Sequence, residues 1–105
     1  MDKIYFHSEA IEAQGSIARY FYIVVSGKVL VIERNGKSIL KTITQNEVFG
    51  LIECLANKTW SNTFIAHRYV QLVKLPSEYL SDLLNSEPFE VKEMVNELLS
   101  MNHLG

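Results

Sequence analysis

A chain of 105 residues, 48% hydrophobic and 21% charged, is long enough for one core and has the composition of an ordinary globular domain, which excludes a disordered protein. Ten basic and twelve acidic residues leave a formal charge of −2 with no basic run or stripe, so no nucleic-acid partner is expected. The single Cys54 excludes an internal disulfide, no apolar run approaches the roughly 18 residues of a membrane span, and Met1 to Glu9 lack the pattern of a signal peptide, so a cytoplasmic location without membrane contact is expected.

Ile4 to Phe6 and Ala10 to Ala13 read as two short strands ahead of a turn at Gln14-Gly15-Ser16. From Tyr20 to Ser26 the chain is rich in aromatic and β-branched residues, which favour a largely buried strand. Gly27 interrupts it, and Lys28 to Glu33 continues as strand. Asn35-Gly36 is a strong short-hairpin signal, after which Lys37 to Ile43 returns. Val48 and Phe49 lead into Gly50; Ile52, Cys54 and Leu55 then supply one apolar helical turn, and Asn57-Lys58-Thr59 breaks it. Thr63 to Ala66 resumes strand alternation, and Tyr69 to Leu75 forms a last strand. Pro76 closes that strand and starts a helix whose apolar face is Tyr79, Leu80, Leu83 and Leu84. A second helix starts near Ser86-Glu87-Pro88, with Val91, Met94, Val95, Leu98 and Leu99 at helical spacing. No repeat or linker is visible, so one domain is expected, with a β-roll over about 4–75 and C-terminal helices over about 76–102.

The stretch from Asn46 to Ala66 organises the rest. A glycine that opens a short helix leaves the first backbone N–H groups without internal partners, where with the local dipole they can hold an anion. Phe49, Gly50, Ile52, Leu55, Thr63 and Ala66 stand in register with the phosphate-binding cassette of the cyclic nucleotide-binding domain, whose pattern is Phe-Gly-Glu-Leu-Ala-Leu, a loop, Arg-Ala-Ala and Thr-Val-x-Ala. Tyr22, Ile23, Ser26, Gly27 and Val29 likewise match that family's paired strands, and Asn46 occupies a turn where the family has a glycine. The chain therefore resembles this family, the module of cAMP-dependent kinase regulatory subunits, catabolite-activator-type regulators and nucleotide-gated channels. The resemblance implies an antiparallel jelly-roll-like β-roll with a short cassette helix and two C-terminal helices. Relative to it, the helical residues ahead of the first strand are missing, so the chain looks trimmed at its front, and no helix-turn-helix follows the last helix.

Two side chains depart from the pattern. Leu51 stands where the family has the glutamate that binds the ribose 2′-hydroxyl, and Trp60 where it has the arginine that pairs with the cyclic phosphate. Glu53 replaces a small residue and adds a negative charge, which disfavours a bound anion. The candidate ligand residues are Phe49, Gly50, Leu51, Ile52, Glu53, Trp60, Ser61 and Asn62, and the candidate lid or dimer residues are Met94, Leu98 and Met101. Glu53 reads either as an acceptor for the hydroxyls of an uncharged ligand such as a nucleoside or as a solvated surface charge. Trp60 reads either as a stacking platform or as core. Cys54 reads as a small core residue. His7, His67 and His103 are too scattered for a metal site, and no cofactor or catalytic grouping stands out.

The expected function is a regulatory, non-catalytic module, with a nucleotide or nucleoside as the candidate ligand and without the usual mode of cAMP or cGMP binding. The alternatives are a degenerate domain serving protein interaction, as a homodimer or with a fused or partner effector domain, and a cAMP or cGMP sensor relying on backbone amides. An enzyme of the cupin barrel lacks its histidine cluster here.

Overall fold

The structure, a computed structural model, describes residues 2–56 and 58–80. In chain order they form β1 (Asp2–Tyr5), β2 (Ala10–Glu12), β3 (Tyr20–Ile32), β4 (Ile39–Ile43), β5 (Val48–Phe49), α1 (Leu51–Leu55) and β6 (Thr63–Pro76), with a helical turn at 77–80. The spine is the antiparallel pair of β3 and β6, in register from Tyr20 opposite Pro76 to Ile32 opposite Thr63. β1 and β2 pair with β6, while β4 and β5 pair with β3, all antiparallel. This is the expected β-roll.

Two predicted breaks are absent. The segments on either side of Gly27 form one 13-residue strand, and those on either side of His67-Arg68 form one 14-residue strand. The reason lies in Gly27. At φ 89 it lets β3 bulge, and a Cβ there would lie 2.4 Å from the Tyr69 carbonyl oxygen, so only glycine fits. The bulge also shifts the phase of alternation: Tyr22 and Val24 are buried before it, Val29 and Val31 after it. Arg68, at φ 61, bends the facing strand at the same level.

The hairpin after β3 is longer than Asn35-Gly36 alone predicts. The Gly36 N–H donates to the Glu33 carbonyl at 2.8 Å, the Glu33 N–H donates to the Ser38 carbonyl at 2.9 Å, and β4 starts at Ile39 rather than Lys37. A register shift between Val31 and Ile32 then sets Val31 opposite Lys41. Since side chains alternate faces, one residue of slip decides which of Leu40 and Lys41 stands across from Val31.

The core gathers Tyr22, Val24, Val29, Val31, Val70 and Leu72 from the spine with Leu51, Trp60 and Leu80. Asn46 adopts φ 72, the left-handed conformation that its place in the turn requires. The Ser77 N–H bonds the Arg19 carbonyl at 2.8 Å, which ties the start of the C-terminal segment to the entrance of β3. Leu83, Leu84, the helix expected from Ser86 and the candidates Met94, Leu98 and Met101 lie outside the described residues.

Candidate ligand site

α1 starts at Gly50, whose φ of 93 turns the chain out of β5, and the Cys54 N–H closes the first turn on the Gly50 carbonyl at 3.0 Å. A Cβ on Gly50 would meet Trp60 Cη2 at 2.7 Å and the Tyr20 carbonyl oxygen at 3.1 Å. The glycine is therefore required both by conformation and by the tryptophan beside it.

Trp60 is fixed from both sides. Its N–H donates to the Ser16 carbonyl and its own carbonyl accepts from the Gly15 N–H, each at 2.9 Å. Neighbouring Thr59 bridges Ile17, and the Ala18 N–H donates to the Lys58 carbonyl at 3.0 Å. Held there, the indole turns inward and is 1% exposed, edge-on to Phe64 at 5.0 Å and to Phe49 at 6.4 Å. Phe49 in turn stacks between Phe64, at 5.0 Å, and Tyr22, at 4.8 Å. The expectation that Trp60 belongs to the core describes its position; as a stacking platform it would have to face the ligand. Leu51, also 1% exposed, packs in the same core, so neither departure from the cassette pattern places its side chain in a ligand cavity.

A cavity of about 380 Å³ opens on the other side of α1, within the size range of small-molecule sites. From the cassette it takes Phe49, Gly50, Ile52, Glu53 and Asn62, five of the eight expected residues. Leu51, Trp60 and Ser61 do not line it, Ser61 being solvent-exposed. Its remaining wall is Val31, Leu40, Lys41, Ile43 and Phe64, of which β4 supplies three that the sequence reading did not single out. The signal that finds them is the hairpin register, once the loop is lengthened. The two charges in the lining, Lys41 and Glu53, come from different elements, and both are half-buried.

A second polar feature lies at the far end of the aromatic stack. The buried Tyr22 hydroxyl donates a hydrogen bond to the half-buried Glu12 carboxylate. Burial raises the Glu12 carboxyl above its ordinary value, against the opposing effects of the Tyr22 hydrogen bond and the Lys74 charge. Burial and the Glu12 carboxylate both hold the Tyr22 hydroxyl protonated. Sequence reading missed this pair because Glu12 and Tyr22 lie on strands that meet only through β6. The Cys54 thiol is pushed up to about 12, first by burial and then by the charges of Glu53, Glu12 and Glu78, which makes it a buried apolar group rather than a nucleophile.

His7 and His67, far apart in sequence, meet edge to face at 5.6 Å, and His7 Nδ1 accepts the Arg68 N–H at 2.8 Å. That bond occupies one ring nitrogen of His7, and among the described residues no group of three or more metal-binding side chains forms. His103 lies outside those residues. Among them, too, no helix is long and apolar enough to cross a membrane.

Fold and cavity together define an antiparallel β-roll with a cavity of about 380 Å³ against a glycine-led helix. Residues 5–87 match the family model of the cyclic nucleotide-binding domain, and the chain belongs to that family. Human cyclic nucleotide-gated channel beta-1 is 32% identical over 90 residues, which cover 81% of this chain and 7% of the channel. The chain thus spans only a small part of the curated relatives it matches. Among solved structures, cAMP-bound PfPKA-R (141–441) superposes with a TM-score of 0.77 at 23% identity, covering 98% of this chain and 34% of that one. A putative cyclic nucleotide binding protein from Ruegeria pomeroyi gives 0.79 at 20% identity, covering 99% and 46%. These structures share the fold.

Proposed function

We propose that the chain is a regulatory, non-catalytic cyclic nucleotide-binding-like module that takes a small ligand in the cavity beside α1 and does not bind cAMP or cGMP in the family's usual way. The observation that carries this reading is the position of Trp60. The residue that stands for the phosphate-pairing arginine is buried against Phe49 and Phe64 and brings no donor to the cavity. A charge-assisted hydrogen bond to a phosphate contributes about 1.5–3 kcal/mol, so its loss weakens a cyclic nucleotide about tenfold to a hundredfold. Glu53 in the lining adds repulsion toward the same anion. The chain leaves the roll at 77–80, tied to Arg19, which is where a change on binding would be passed on, provided the ligand binds the two states with different affinity.

The test is a thermal-shift screen of the purified chain against cAMP, cGMP, nucleosides and mononucleotides. A ligand at a hundred times its dissociation constant adds about 2.7 kcal/mol, which in a domain of this size raises Tm by about ten degrees or more. The expected result is no such shift with cAMP or cGMP; a full shift with either at micromolar concentration contradicts the reading.

A second reading, an interaction module, is favoured by one surface feature. Phe6 and Tyr69 are 64% and 52% exposed and stack edge to face at 5.9 Å, with Ile4 also exposed on β1. Light scattering of the ligand-free chain separates the two, because a stable dimer supports the interaction module.

A further inference from the structure

Resting on the reading that the cavity beside α1 is a ligand site, we infer that its ligand is a nucleoside 5′-phosphate with a free vicinal diol, the diol held by Glu53 and the phosphate by Lys41. The cavity carries one anion and one cation on separate elements, Glu53 on α1 and Lys41 on β4, and Asn62 adds an amide with both donor and acceptor. Most of the remaining wall is apolar, with Val31, Leu40 and Ile52 available to a flat base.

An ionised carboxylate only accepts, through two oxygens, and a vicinal diol offers two hydroxyl donors that match it. A 3′,5′-cyclic nucleotide has no such diol, because its 3′-oxygen is bound in the phosphate ring. In an open 5′-phosphate the anion sits on the exocyclic arm, away from the diol, and it carries about −1.5 to −2 charges at neutral pH. Such a ligand suits a site whose cation and carboxylate come from different elements. Lys41 also feels the carboxylate of Glu47, but Glu47 is already engaged by the Thr44 N–H and hydroxyl, each at 2.8 Å. That leaves Lys41 to serve as a point charge for phosphate.

The experiment is calorimetric titration of the whole 105-residue chain with 5′-AMP, 5′-GMP, adenosine, ribose 5-phosphate and cAMP at one fixed salt concentration. The expected result is that a 5′-mononucleotide binds about tenfold or more tighter than cAMP. Lys41→Ala should then weaken the mononucleotide about tenfold or more while leaving adenosine unchanged, with Lys41→Arg restoring binding. Glu53→Gln should weaken mononucleotide and adenosine together. Thermal melts of each variant confirm that it is folded. Adenosine binding without any gain from the 5′-phosphate overturns the inference and leaves the proposed function standing, and ribose 5-phosphate binding as well as the mononucleotides overturns the role of the base. Binding of cAMP as tight as that of 5′-AMP overturns both, and silence across the panel overturns the inference in favour of the interaction module.

Discussion

The two sides of the cassette have opposite characters. On the inner side Leu51, Cys54 and Trp60 are buried, and Trp60 meets Phe49 and Phe64, so the positions that depart from the family's ligand contacts have joined the core. On the outer side Ile52, Glu53 and Asn62 remain half-buried around a cavity whose cation, among the described residues, is Lys41 of β4. The contrast shows that the fold can be kept while two positions of the cassette pattern are given over to the core. Loss of an arginine need not leave a hole, because the tryptophan in its place fills space between two phenylalanines and makes Gly50 indispensable.

Mutations should separate the sides. The largest effect is expected for Trp60→Ala, which removes the biggest fully buried side chain and should cost about 3–5 kcal/mol by denaturant unfolding. Glu53→Ala, on the outer side, should stay within about 0.5 kcal/mol in the same assay. If the two lose comparable stability, the division of the cassette is wrong.

Tyr22→Phe comes next. It leaves the half-buried Glu12 carboxylate without its donor while keeping the ring stacked on Phe49, and should cost about 1–3 kcal/mol.

The smallest effect is one of pH. Glu12 holds its proton more tightly folded than unfolded, so between the ordinary 4.5 and its raised folded value the native state binds more protons and stability falls as pH rises. Glu47 is opposite in sign. Hydrogen bonds from Thr44 lower its carboxyl, so its contribution is present above 4.5 and is lost as pH falls through the lowered value. Tm measured against pH should show the first slope vanish in Glu12→Gln and the second vanish in Glu47→Gln.

Much of this fold was legible because its signals are local. Gly27 and Gly50 stand where the backbone needs φ above zero, Asn46 behaves as a glycine substitute, and the apolar turn after Phe49 is a helix. The cavity-lining residues Phe49, Gly50, Ile52 and Glu53 follow from the same stretch. What escaped depends on distant registers. Lys41 stands across from Val31 only because the Asn35-Gly36 loop is longer than two residues and β4 carries an extra residue, Leu40, between Ile39 and Lys41. The Glu12–Tyr22 pair and the meeting of His7 with His67 likewise exist only once β6 has paired with β3 on one side and with β1 and β2, which flank His7, on the other. The inward turn of Trp60 is set by its backbone bonds to Gly15 and Ser16, which no local pattern encodes.

Trp60 is the chain's single tryptophan, so its fluorescence reports on the central claim without labelling. The measurement is its emission and its quenching by acrylamide, with and without saturating cAMP. The expected emission is blue-shifted, poorly quenched and unchanged by cAMP. Red-shifted, readily quenched emission that responds to cAMP would place the indole in the ligand site and contradict that claim.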